Sequence, residues 1–139
     1  MALPILGGKI STPYNRRCCR NEGGKVTRHF WTDHRHKGVD FTVPTGTNVH
    51  AMVDGEIVNA NWGKSFGLHA VQKVQGGFVN YAHLSSMIVK PGDKVVKGQL
   101  IGKSGATGNV SGAHLHVEYR DNIRWSAGKD LDPKGILAA

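Results

Sequence analysis

From Val39 onward, short runs in which apolar and polar residues alternate follow one another: FTVP, NVHAMV, EIVNANW, LHAVQKV, FVNYAHL, KVVKGQLIG and HLHVEYR. A period of two over runs of this length marks half-buried β-strands. Between them stand the turn formers Pro44-Thr45-Gly46, Asp54-Gly55, Gly76-Gly77 and Pro91-Gly92-Asp93, of which Asp54-Gly55 and Gly76-Gly77 are of the hairpin kind. No segment sustains a helical period. The pattern predicts an all-β fold, a mostly antiparallel β-sandwich or partly open barrel with irregular loops and little helix.

The ends read differently. In residues 1–35, Pro4, Gly7, Gly8, Pro13 and Gly23-Gly24 break any periodicity, which predicts an irregular lead-in. Residues 36–120 carry the strand pattern, and 121–139, with Asp130-Leu131-Asp132-Pro133, read as a closing tail. At 139 residues the three pieces are expected to make one domain and a monomer.

Composition narrows the function classes. Hydrophobic residues at 39% and charged residues at 20% describe a soluble globular chain. No apolar run approaches the roughly 18–20 residues of a membrane span, so no membrane insertion is expected. The start MALPILGGKIS lacks the basic region and apolar core of an export signal. The net charge of +8 calls for an anionic partner. Nucleic acid is not expected to be that partner, because the Lys and Arg residues are scattered through turns and no aromatic pattern of an RNA-binding sheet is present. Cys18 and Cys19 are adjacent, which is poor geometry for a disulfide, and they read as free thiols.

The chemistry lies in the eight histidines. In His114-Leu115-His116-Val117-Glu118, strand alternation sends His114, His116 and Glu118 to one face and Leu115 and Val117 to the other. Such a pair can bring two imidazoles to one zinc ion, but by itself is more often two partly exposed strand histidines. In His36-Lys37-Gly38-Val39-Asp40, an imidazole and a carboxylate come near each other as the chain turns into a strand; alone, they are more often two groups bonded to backbone. Together the motifs offer imidazoles and a carboxylate for a three-ligand catalytic zinc site with a position left for water. No HExxH helix supplies a glutamate base, so histidine must do that work, with His83 and His114 available. Glu118 is either an acceptor that orients an imidazole or a surface carboxylate, and Tyr81 either touches substrate or packs. His29 and His34 read as solvated loop residues, and His50 and His69 as hydrogen-bonded scaffold.

HKGVDF at 36–41, NYAHLS at 80–85 and GNVSGAHLHVEYR at 108–120, with PGDKVVKGQLIGKSGATG leading into the last, resemble the motifs of the lysostaphin and LytM-type peptidoglycan endopeptidases, the M23 metallopeptidases. The resemblance implies one zinc ion held by His36, Asp40 and His116, with His114 as general base and His83 stabilising the oxyanion. It also implies a two-sheet β core with a groove, and a glycine-rich or stem-peptide bond of bacterial peptidoglycan as substrate, with anionic wall polymers attracting the basic surface. The setting expected is a phage endolysin, made in the cytoplasm of an infected host and acting on the wall after release. The alternatives are a catalytically inactive M23-fold protein that binds wall or activates another hydrolase, and a lipoyl-type carrier. The presence of all five residues opposes the first, and the lack of a modifiable lysine in a hairpin context opposes the second.

Overall fold

The structure, a computed structural model of the chain, describes residues 4, 21–22, 25–26, 38–108, 112–121 and 130–131. The strands are β1 (Asn21–Glu22), β2 (Lys25–Val26), β3 (Val39–Phe41), β4 (Asn48–His50), β5 (Gly55–Gly63), β6 (Gly67–Val74), β7 (Gly77–Met87), β8 (Lys94–Val95), β9 (Leu100–Ser104), β10 (Leu115–Arg120) and β11 (Asp130–Leu131). No helix occurs among the described residues, and every strand pairing is antiparallel. β1 and β2 pair only with each other, while the other nine strands form one connected sheet.

β7 organises that sheet. Its 11 residues are long enough to serve two partners along one edge, β10 opposite residues 78–82 and β9 opposite 84–87, with β6 on its other edge. The main path runs β11-β10-β7-β6-β5-β8, and β3 lies against β10. The β9–β4 arm leaves from the far end of β7. Its Val49 and Ile101 join one buried cluster with Phe41, Ile57, Ala70, Val79, Tyr81, Leu84, Leu115 and Val117, so the arm closes over the inner face of the main path. This burial of about ten apolar side chains is the main force that folds the arm inward.

Several expectations change in detail. The FTVP strand begins earlier, at Val39, and KVVKGQLIG divides into β8 and β9 around the Lys97–Gly98 turn, where Gly98 takes φ +87. Asp54-Gly55 does not close a hairpin, since β4 pairs with β9 rather than β5. Asp54 instead uses its carboxylate to accept Lys97 N–H at 2.8 Å, so its turn chemistry serves a long-range tie. Gly76 does turn a hairpin, between β6 and β7, with φ +87. The lead-in contains the β1–β2 ribbon, and the tail contributes β11 to β10.

Tyr81 is fully buried on the inner face. Its hydroxyl donates to Gln72 Oε1 at 2.8 Å and accepts Met52 N–H at 3.0 Å, while Gln72 Nε2 donates to Val53 O at 2.7 Å. These bonds tie the segment after β4 to β6 and β7. Tyr81 is therefore a packed, hydrogen-bonded core residue and does not face the outer side of the sheet, where the histidines lie.

Candidate active site

Strand alternation on β10 puts Leu115 and Val117 into the core and His116, Glu118 and Arg120 on the opposite, outer face. The antiparallel register then decides the partners: Asp40 of β3 stands directly opposite His116, and Ala82 of β7 flanks it on the other side. Residues 76 positions apart are thereby hydrogen-bonded, His116 Nδ1 to Asp40 Oδ1 at 2.7 Å. The close approach of β3 requires Gly38. A Cβ there would run into Val117 O and stand 2.9 Å from both Glu118 Cγ and His116 Cε1.

His116 is 7% exposed and lies between two carboxylates, its Nε2 bonding Glu118 Oε1 at 2.9 Å. Burial by itself would push the imidazole down, but the hydrogen bonds and charges of Asp40 and Glu118 outweigh it and push it up to about 10. The ring is therefore an imidazolium that donates from both nitrogens. Glu118 Oε2 stands 3.6 Å from Arg120 Nη1, so a chain of alternating charge runs Asp40, His116, Glu118, Arg120 down the face. Asn80, opposite Glu118 in the ladder, is also buried, and among the described residues its carboxamide has no hydrogen-bond partner.

His83 reaches this face through a bulge. Leu68 pairs with Leu84 and Ala70 with Tyr81, so His69 alone on β6 faces two residues, Ala82 and His83, on β7. His83 takes φ 63, the one non-glycine with positive φ among the described residues. The extra residue turns the imidazole out while Leu84 stays in the core. Its backbone N–H bonds Phe66 O at 2.8 Å, and its Nδ1–H donates to Thr107 O, also at 2.8 Å. Burial pushes this imidazole down to about 4, against the Thr107 carbonyl and helped by His116 and His114, so it is neutral near pH 7.

His114 lies just before β10 and bridges to Gly105. Its Nδ1–H donates to Gly112 O at 2.9 Å, which leaves Nε2 directed at the cluster, 3.8 Å from Asp40 Oδ1. The rings of His83 and His114 are 4.8 Å apart, and those of His83 and His116 are 6.0 Å apart. Phe66, from the β5–β6 turn, stacks over His116 at 6.3 Å and 17°. Asp40, His83, His114 and His116 thus come together, with Glu118 behind His116. His36 lies outside the described residues, as do His29, His34, Cys18 and Cys19. Among the described residues no group of three His, Cys, Asp or Glu side chains is arranged to hold a metal ion. His50 and His69 each donate Nδ1–H to a carbonyl, Gly98 O and Gly67 O. Phe66 was not foreseen; the sequence signal for it is a lone aromatic in the turn Gly63-Lys64-Ser65-Phe66-Gly67.

The model of peptidase family M23 matches residues 34–133, which include Asp40, Phe66, His83, His114, His116 and Glu118. The chain belongs to peptidase family M23. This M23 chain is 43% identical over 105 residues to glycyl-glycine endopeptidase ALE-1 of Staphylococcus capitis, a match covering 73% of the chain and 29% of that protein. It is 30% identical over 120 residues to the peptidoglycan DD-endopeptidase ShyC of Vibrio cholerae, covering 86% of the chain and 26% of that protein. The M23 chain therefore spans less than a third of the length of these curated relatives. Its fold matches the catalytic domain of the antimicrobial peptidase lysostaphin from Staphylococcus simulans with a TM-score of 0.78 and 31% identity, over 96% of this chain and 95% of that one.

Proposed function

We propose that the chain is a zinc-dependent endopeptidase that hydrolyses peptide bonds of bacterial peptidoglycan, in the stem peptide or the cross-bridge, with His36, Asp40 and His116 holding one zinc ion. The observation that carries the proposal is the meeting of the Asp40 carboxylate with the His116 and His114 imidazoles, with the His83 ring beside them. Imidazole and carboxylate are zinc donors of the right type. Glu118 accepts the Nε2–H of His116 and so orients Nδ1 toward Asp40, the outer partner that a ligating histidine needs. Loading must displace the Nδ1 proton now shared with Asp40, which makes metal binding weaker at lower pH. A bound zinc ion would polarise the scissile carbonyl and bring its water to a pKa of about 7.

The remaining histidines supply proton handling. His114, tied at Nδ1 to Gly112 O, offers Nε2 as the acceptor of the attacking water's proton. His83, tied at Nδ1–H to Thr107 O, would stabilise the oxyanion as an imidazolium, taking a proton from solvent at Nε2 as negative charge develops beside it and donating from there. The names of the relatives support a wall peptide as substrate. The net charge of +8 supports adsorption to an anionic wall, the setting of a phage lysin.

The test is metal content together with hydrolysis. Purified protein should carry about one zinc per chain, lose hydrolysis of purified walls on chelation and regain it with zinc. His116→Ala should lose metal and activity together, whereas His114→Ala should keep metal and lose turnover. A zinc-free preparation with full activity refutes the proposal.

A further inference from the structure

His83 sits in backbone geometry that costs a non-glycine residue about 1–2 kcal/mol. Such a conformation persists only where its surroundings over-determine it. Three hydrogen bonds at and next to the bulge converge on a single residue. The carbonyl of Thr107 accepts His83 Nδ1–H at 2.8 Å. The Thr107 hydroxyl donates to Leu84 O at 2.7 Å and accepts Leu68 N–H at 3.1 Å. Leu68 and Leu84 are register partners on β6 and β7, so this hydroxyl links the backbones of the two strands beside the bulge that contains His83.

The loop that delivers Thr107 is seated tightly. Gly67 at φ +62 and Gly108 at φ +82 cross backbone to backbone, and a Cβ on Gly108 would stand 2.6 Å from Ser65 O. A Cβ on Gly67 would run into Thr107 itself. The same β5–β6 turn supplies the Phe66 carbonyl that holds His83 N–H. Two loops far apart in sequence therefore lock together at Thr107 and grip His83 between them.

We propose that Thr107 is the positioning residue for His83. Its hydroxyl holds β6 and β7 at the spacing the bulge needs, and its carbonyl fixes the tautomer. Because a carbonyl only accepts, the neutral ring carries its proton on Nδ1 and keeps Nε2 free to act within the cluster. The proposal rests on the reading of His83 as a catalytic group given above. Thr107 acts through His83 and takes no part in metal binding.

Two substitutions separate the hydroxyl from the shape. Thr107→Val keeps the branched side chain and removes the hydroxyl, and Thr107→Ser keeps the hydroxyl. On purified walls, Thr107→Val is expected to lower kcat about 10- to 100-fold with KM and zinc content within about twofold of the parent, and Thr107→Ser to stay within about threefold. Long-range proton–nitrogen NMR of the metal-free protein should show His83 as the Nδ1–H tautomer in the parent and the Ser variant, and a mixture in the Val variant. A parent His83 found as the Nε2–H tautomer overturns the proposal, as does a Val variant with parental kcat or a Ser variant that falls as far as Val. Should the Val variant not fold, the parent tautomer and the Ser variant still decide. His83→Ala serves as the separate control. If it keeps full turnover, the catalytic reading of His83 fails, and the claim for Thr107 then stands or falls on the tautomer alone.

Discussion

Replacing Tyr81 with Phe tests whether the inner face of β7 is purely a support for the outer one. The hydroxyl is completely buried and has two protein partners, Met52 N–H and Gln72 Oε1, at 3.0 and 2.8 Å. Phe fits the same space but leaves both partners buried without a bond. Each orphaned group costs about 1–3 kcal/mol, and the gain from a more apolar ring offsets part of it, for a net loss of about 2–4 kcal/mol. With a urea slope of about 2 kcal/mol per molar, the unfolding midpoint should fall by about 1–2 M. Removing the acceptor as well, in Tyr81→Phe with Gln72→Leu, should cost less than the sum of the two single changes, because the pair is coupled. Turnover per folded molecule should stay within about twofold, since Tyr81 faces away from the histidines. An unchanged midpoint would refute the hydrogen-bond argument. A large fall in kcat at a urea-free temperature where the variant is fully folded would refute the separation of faces.

Two other perturbations address the site directly. Gly38→Ala forces β3 away from β10 and should open the Asp40–His116 contact, costing about 1–3 kcal/mol and weakening zinc binding about 10- to 100-fold in competition with a chromophoric chelator; unaltered affinity would show that the approach of β3 does not set the site. His83 should make the metal-free protein acid-sensitive in a defined window. Unfolded, it takes a proton near pH 6.5, and folded only near 4, so its stabilising contribution is complete above pH 6.5 and is lost as pH falls toward 4, by about 3 kcal/mol in all. The stability gap between the parent and His83→Ala, measured in urea at pH 7.5, 5.5 and 4, should therefore narrow as pH falls; a constant gap would contradict the buried neutral state.

What the sequence determined was local. Alternation over LHVEYR sufficed to assign Leu115 and Val117 to the core and His116 with Glu118 to the other face, because the two-residue period of a strand is a property of the backbone alone. The motifs likewise carried the family, which the match over residues 34–133 bears out, and the glycine-marked turns at Gly46, Gly76 and Gly92 all take positive φ. Pairing was beyond reach. Nothing near Asp54-Gly55 states that β4 prefers β9, since that choice is made by apolar burial between segments some 50 residues apart. Register was decided in the same way: sliding β3 by one residue would send Asp40 inward, and only the fit of Val39 and Phe41 into the core fixes it opposite His116. The bulge at His83 shows the limit most sharply. NYAHLS reads as a strand with one break in its alternation, at Tyr81-Ala82, and the left-handed turn that brings His83 beside His114 exists because Phe66 and Thr107, from two other loops, satisfy its backbone and its ring. Residue types and spacings are written locally and can be read locally, whereas a site assembled by long-range hydrogen bonds is specified only once the sheet has closed.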